Sequence, residues 1–153
     1  MLRRAEASDL PAIARTIAER PMQLLDLGSD WLAETWGADG NHVMVWDRGG
    51  FAGFSILEAA YPQVWYLSNL ASLRPGEGAA LIDATLDLGF GEIAAHRIYL
   101  DTAADNLRAR AAFRRAGFQE EGVMRQCWLR ADGIWCDCIA MGMLQSEWRQ
   151  RRG

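Results

Sequence analysis

Two stretches of the chain put anion-holding groups where a strand runs into a helix. Arg74-Pro75-Gly76-Glu77-Gly78-Ala79-Ala80 follows an apolar strand-like run and opens an apolar helical stretch. The first turn of a helix carries backbone N–H groups without partners and the positive end of the dipole. Glycines at that point let a phosphate approach the main chain. Asp105-Asn106-Leu107-Arg108 repeats the junction further along, with Asn106 as a good N-cap. Arg108, Arg110, Arg114 and Arg115 make this second helix locally basic in a chain of net charge −4, which a polyanionic ligand explains most simply and a solvated helix face explains as well. Taken singly, a tight turn explains the first stretch and plain capping the second. Two parallel strands that each deliver a helix N-terminus at the same edge build a crevice of the kind that binds ligands in α/β sheets.

Residue types exclude several chemistries. All sixteen basic residues are arginine, so there is no phosphate-loop lysine and no Schiff base. Leu81 stands where a dinucleotide fingerprint needs its third small residue. His42 and His96 do not form a zinc-type pair, and no metal is expected. Cys127, Cys136 and Cys138 are too few for a disulfide framework. With a two-residue turn at Asp132-Gly133, Cys138 would lie opposite Cys127, and the bland reading is small buried residues. A net acidic chain is a poor general nucleic-acid binder. Arg149, Arg151 and Arg152 read as a solvated tail.

The elements that position these groups follow from hydrophobic period. The 153 residues are one domain, 1–148, with a short basic tail at 149–153. No stretch reaches the ~18 apolar residues of a membrane span and Met1-Leu2-Arg3-Arg4 leads into no signal-type core, so the expectation is a cytoplasmic protein without a membrane partner. Residues 2–5 read as a short strand. Asp9 caps a helix with Ile13, Ala14 and Ile17 inward, and a shorter helix includes residues 30–35. Strands at 42–47 and 51–59 flank a Gly49-Gly50 turn, and 64–73 is a further strand. Then come a helix at 78–88, a strand at 97–102, and a helix at 106–116 closed by Gly117. A hairpin of 118–130 with 134–144 ends the domain. The sum is α+β, early hairpins giving way to strand–helix–strand–helix–hairpin.

The order Gly76-x-Gly78, helix, His96-Arg97-Ile98-Tyr99-Leu100, Asp105-Asn106-x-Arg108-Ala109, then Arg115-Ala116-Gly117-Phe118-x-Glu120-Glu121-Gly122 resembles the GNAT superfamily of acyl-CoA-dependent N-acetyltransferases. The closing Asp137 to Trp148 is similar to the Rim-type branch, which acetylates protein N-termini. The resemblance covers nearly the whole chain, is strongest over 70–148 and is weak over 20–60. It implies the acyl-CoA N-acyltransferase fold, a mixed twisted sheet of six to seven strands flanked by about four helices. It also implies acetyl-CoA as co-substrate, held in a cleft between strands 64–73 and 97–102. The 74–80 loop would hold its pyrophosphate, while backbone groups around Asn69, Leu70 and Ala71 would bind pantetheine and polarise the thioester carbonyl. Asn106, Arg108 and Phe113 complete the implied cofactor set.

Two departures stand out. Leu73 occupies a position where the family usually has Arg or Gln, with the arginine shifted to Arg74. Phe113 replaces the tyrosine that many members use as proton donor to the leaving thiolate, although a thiol of pKa about 8.5 leaves well without much acid help. Glu58 and Tyr66 are the candidate catalytic groups. Gln63 stands where the Rim-type branch often has a glutamate, so the site is poor in bases. An α-amine of pKa about 7.7–8.0 suits such a site better than lysine at about 10.4. The expected acceptor is therefore a protein or peptide N-terminal α-amine. The alternatives are a small-molecule amine such as a polyamine or antibiotic, or a non-catalytic acyl-CoA-binding domain. Trp31, Tyr61, Trp128 and Trp135 are the candidate acceptor wall, with Trp128 and Trp135 on one face. A homodimer is compatible with all of this.

Overall fold

The structure, a computed structural model, describes residues 1–153. It contains β1 (Leu2–Arg4), α1 (Leu10–Ala18), α2 (Gly28–Gly37), β2 (His42–Asp47), β3 (Phe51–Tyr61), β4 (Val64–Ser72) and α3 (Gly78–Leu86), followed by β5 (Arg97–Ala103), α4 (Leu107–Ala116), β6 (Gln119–Leu129), β7 (Trp135–Leu144) and α5 (Gln145–Arg152). The seven strands form one sheet in the order β1-β2-β3-β4-β5-β7-β6. Every neighbouring pair is antiparallel except β4 and β5. The sheet and its helices agree with the expected class, with five α-helices.

Two cores lie on opposite faces of the sheet. Ile13, Ile17 and Leu32 of α1 and α2 pack on Val43, Val45, Phe54 and Ile56. The other core joins Ile82, Leu86 and Phe113 of α3 and α4 to Leu57, Leu67, Ile98, Leu100 and Met141. Strand alternation accounts for the division, since Ile56 and Leu57 are successive residues of β3. The inward stripe expected for α4, with Ala109, Ala112, Phe113 and Ala116, meets the second core. Gly117 closes α4 at φ 113°, a left-handed conformation that favours glycine.

Four local expectations are corrected. Asp9 does not cap α1; its carboxylate accepts the Glu6 N–H at 2.7 Å and pairs with Arg3, closing the short 3₁₀ turn that precedes the helix. The helix expected over 78–88 ends at Leu86 and widens into a π turn, Asp87–Glu92. There Gly89 packs so close to Ile98 that a Cβ would lie 2.5 Å from its Cδ1. The connection after β6 is longer than the two residues Asp132-Gly133, and three residues of β6 bulge between the pairs Met124↔Cys138 and Trp128↔Cys136. Cys138 therefore pairs in register with Met124, although the bulge still brings the Cys127 thiol within reach of the Cys138 thiol. Finally, Arg149, Arg151 and Arg152 are exposed, as expected, but helical, on α5. Trp148 of α5 stacks on Phe90 at 5.8 Å, and Arg152 pairs with Asp87.

Candidate active site

Strands β4 and β5 are paired only over Val64↔Arg97, Trp65↔Ile98 and Tyr66↔Tyr99. Beyond that point they splay, and the edges of residues 67–72 and 100–103 face an open gap. Part of the cause lies on the far side of β4. Ile56 pairs with Asn69 but Leu57 with Leu67, so Ser68 is an extra residue that bends the strand. In the gap, main-chain groups of Asn69, Leu70 and Ala71 lack a β5 partner. Such an edge can pair with the amides of an extended arm. Asn69 and Ala71 are buried and Leu70 is half-buried.

The loop after β4 ends at the N-terminus of α3. The N–H groups of Gly76, Gly78, Ala79 and Ala80 find no acceptor within the chain, while Glu77 and Leu81 bond to Arg74 and Glu77 carbonyls. Four unpaired amides thus converge at the positive end of the helix. A Cβ at Gly78 would meet nothing within 4 Å, so the space before these amides is open. Gly76 takes φ 81°, which turns the chain into the helix. Arg74 donates to the Arg48 carbonyl at 3.2 Å, and Pro75 is exposed. The fit to a pyrophosphate is good: free donors, room and a favourable dipole. Glu77 stands apart from its neighbours in that loop, because its carboxylate accepts from Trp46 Nε1 at 3.2 Å and pairs with Arg48 at 3.0 Å.

At the second junction Asn106 caps α4, its Oδ1 accepting the Ala109 N–H at 3.2 Å. Arg110 and Arg114 both pair with Glu120, whereas Arg108 has no ion-pair partner and is exposed. Phe113 is only 9% exposed and meets Phe118 edge-on, so its ring belongs to the core beneath the cleft.

On the opposite face, at the point where the strands part, the sheet gathers Tyr66, Tyr99, Asp101 and Glu58. Glu58 pairs with Tyr66 and shares the face of Ile56, the side covered by α1 and α2. The Tyr66 and Tyr99 rings stack at 5.0 Å, and the Tyr66 hydroxyl donates to Asp101 Oδ2 at 2.9 Å. Burial and the adjacent Asp101 carboxylate push the Tyr66 hydroxyl above the ordinary phenol range. Asp101 keeps solvent contact at the strand edge, yet its carboxyl is crowded enough for desolvation to raise it above the ordinary carboxylate range. The bond from Tyr66 opposes that rise without cancelling it. Sequence reasoning missed Asp101. The available signal was its place on a strand whose alternate residues Tyr99 and Asp101 share the face of Tyr66.

The aromatic wall is only partly assembled. Tyr61 is 72% exposed at the end of β3. Trp31 packs against the core beneath α1 and α2. Trp128 pairs with Cys136 and Trp135 with Leu129, so they lie on opposite faces, contrary to expectation. Trp135 lines a concavity of about 400 Å³ with Ala104, Asp105 and Arg130, which lies beyond the α4 N-terminus rather than in the splay. No group of three or more His, Cys, Asp or Glu is arranged to hold a metal, and no helix is long and apolar enough to cross a membrane.

The profile of the acetyltransferase (GNAT) family matches residues 10–118. The chain belongs to that family. As a GNAT acetyltransferase it uses acetyl-CoA to acetylate an amine. Among solved structures, a point mutant of the spermidine N-acetyltransferase SpeG from Vibrio cholerae is 25% identical with TM-score 0.84, covering 100% of this chain and 98% of that one. The same Vibrio cholerae enzyme in complex with CoA and spermine is 22% identical with TM-score 0.83, covering 97% of each chain. A ribosomal-protein-alanine N-acetyltransferase from Brucella melitensis is 23% identical with TM-score 0.79, covering 94% of this chain and 99% of that one.

Proposed function

We propose that this GNAT enzyme acetylates a small polycationic amine of the polyamine class rather than a protein N-terminus. The observation that carries this reading is the pair of carboxylates that flank Tyr66 where the two strands part: Asp101, which accepts its hydroxyl, and Glu58, its neighbour on β3. The helix and loop on that same face add exposed Asp26, Asp30 and Glu34. Carboxylates around an ammonium favour its binding. The likeness to spermidine N-acetyltransferases supports the polyamine alternative over the N-terminal α-amine.

The residues divide the work as follows. Gly76, Gly78, Ala79 and Ala80 donate their free amides to the pyrophosphate, and the unpaired edge of β4 at Asn69, Leu70 and Ala71 receives the pantetheine arm. Acetyl-CoA supplies an acetyl group already activated as a thioester. Asn106 and Arg108 flank the arm from the α4 N-terminus. Asp101 accepts one ammonium proton, and the neutral nitrogen bonds to the acetyl carbon as the C–S bond breaks. The thiolate leaves and takes the nitrogen's second surplus proton to become the thiol, and Glu58 anchors the acceptor's remaining charge. Tyr66 stays protonated in this arrangement, so its hydroxyl orients Asp101 rather than acting as a base.

A thiol-release assay with acetyl-CoA tests the acceptor. Spermidine and spermine should give a higher kcat/KM than peptides with free N-termini and no lysine. A faster reaction with those peptides would overturn the proposal.

A further inference from the structure

Glu77 poses an electrostatic problem that the fold has to solve. It is the N-cap residue of α3 and directly precedes Gly78, the first of three consecutive unpaired amides. A free carboxylate there would be drawn by the helix dipole onto those amides, just as an incoming phosphate would. It would also repel that phosphate across a short distance. Instead the carboxylate is occupied elsewhere. Trp46 Nε1 donates to one oxygen at 3.2 Å and Arg48 Nε pairs with the other at 3.0 Å. Both partners come from the β2–β3 hairpin, and the Arg48 guanidinium lies 5.6 Å from the centre of the Trp46 ring. Trp46 is itself buried, so the hairpin side of the clamp is fixed.

We propose that Arg48 is a positioning residue for acetyl-CoA. With Trp46 it holds the Glu77 carboxylate off the α3 N-terminus and keeps the anion seat open. The role rests on the reading of the 74–80 loop as the pyrophosphate seat and is independent of the acceptor. Arg48 acts through Glu77 and makes no contact with the phosphates.

Isothermal titration of the purified protein with CoA tests this by charge rescue. Arg48→Met should weaken CoA about tenfold. Glu77→Gln alone should not weaken it, and the double variant should return to within about twofold of wild type. The loss in Arg48→Met should be the same with dephospho-CoA, which lacks the 3′-phosphate. A double variant as weak as Arg48→Met would overturn the proposal, because Arg48 would then contact the phosphates itself. Weakening by Glu77→Gln alone would overturn it too, since the carboxylate would then be needed for the shape of the loop. A loss that vanishes with dephospho-CoA would assign Arg48 to the 3′-phosphate and equally overturn it. Gly78→Asp in the same titration separates this from failure of the seat: if that variant binds as wild type does, the pyrophosphate reading itself falls.

Discussion

Asp101, the proposed base, is a side chain whose charged form is costly to the fold. Its carboxyl is held above the ordinary range by desolvation, so the folded state binds that proton more tightly than the unfolded state. The stability this confers is complete below the unfolded carboxylate value of about 3.9 and is lost as pH rises through the folded value. Asn in its place keeps an acceptor for the Tyr66 hydroxyl and has no proton to lose. Asp101→Asn should therefore melt higher than wild type at pH 7, and the advantage should shrink toward pH 3.5; paired melting curves measure it. The same change should lower kcat by about 10²-fold or more, the usual cost of losing a working base. With Asp101 intact, kcat/KM should fall as pH drops through its raised value. A pH-independent melting difference would show that the carboxyl is not strained in the fold.

At the scale of elements, the α4 junction gives the next test, because the side chain that caps the helix is also the one proposed to flank the cofactor arm. The Asn106 cap satisfies an N–H that would otherwise be unpaired. Its replacement by Ala should cost about 1 kcal/mol of stability, measured by urea unfolding, while Asp or Ser should retain most of it. The cap was legible in the sequence because its evidence is local: Asn106 before a helical stripe, Gly117 after it. The 74–80 loop was legible for the same reason. What could not be read depends on partners far along the chain. The Glu77 carboxylate is bound by Trp46 and Arg48, which lie on another hairpin, away from the proposed phosphate seat. The Met124–Trp128 bulge, with Gln126 at φ 45° and its N–H held by Asp137, changes which faces Trp128 and Trp135 occupy. No period in β6 announces it. Helix α5 was missed because its residues are nearly all polar, and its order comes from Trp148 and Arg152 docking on the π turn.

For the whole molecule, the decisive pattern is the separation of charge between the two sides of the sheet. Helix α4 carries Arg108, Arg110, Arg114 and Arg115 and no acid, with Arg110 and Arg114 paired to Glu120, on the side of the proposed pyrophosphate seat. The proposed acceptor side carries Asp26, Asp30 and Glu34, all exposed, with Asp101 and Glu58 at the strand edge. The chain as a whole has net charge −4, so neither side is explained by the total. An enzyme that takes one polyanion and one polycation gains from such a field, because each substrate is attracted to its own entrance. The field is screened over about 8 Å at physiological salt, so its effect belongs to low ionic strength. Replacing Asp26, Asp30 and Glu34 by their amides should raise KM for spermine several-fold at low salt and far less at high salt. KM for acetyl-CoA should stay where it was. The effect should also grow with the number of ammonium groups on the acceptor, from a monoamine through spermidine to spermine. An equal change for the monoamine would mean that these carboxylates shape the acceptor side without sensing charge, and the polycation reading would then rest on Asp101 and Glu58 alone.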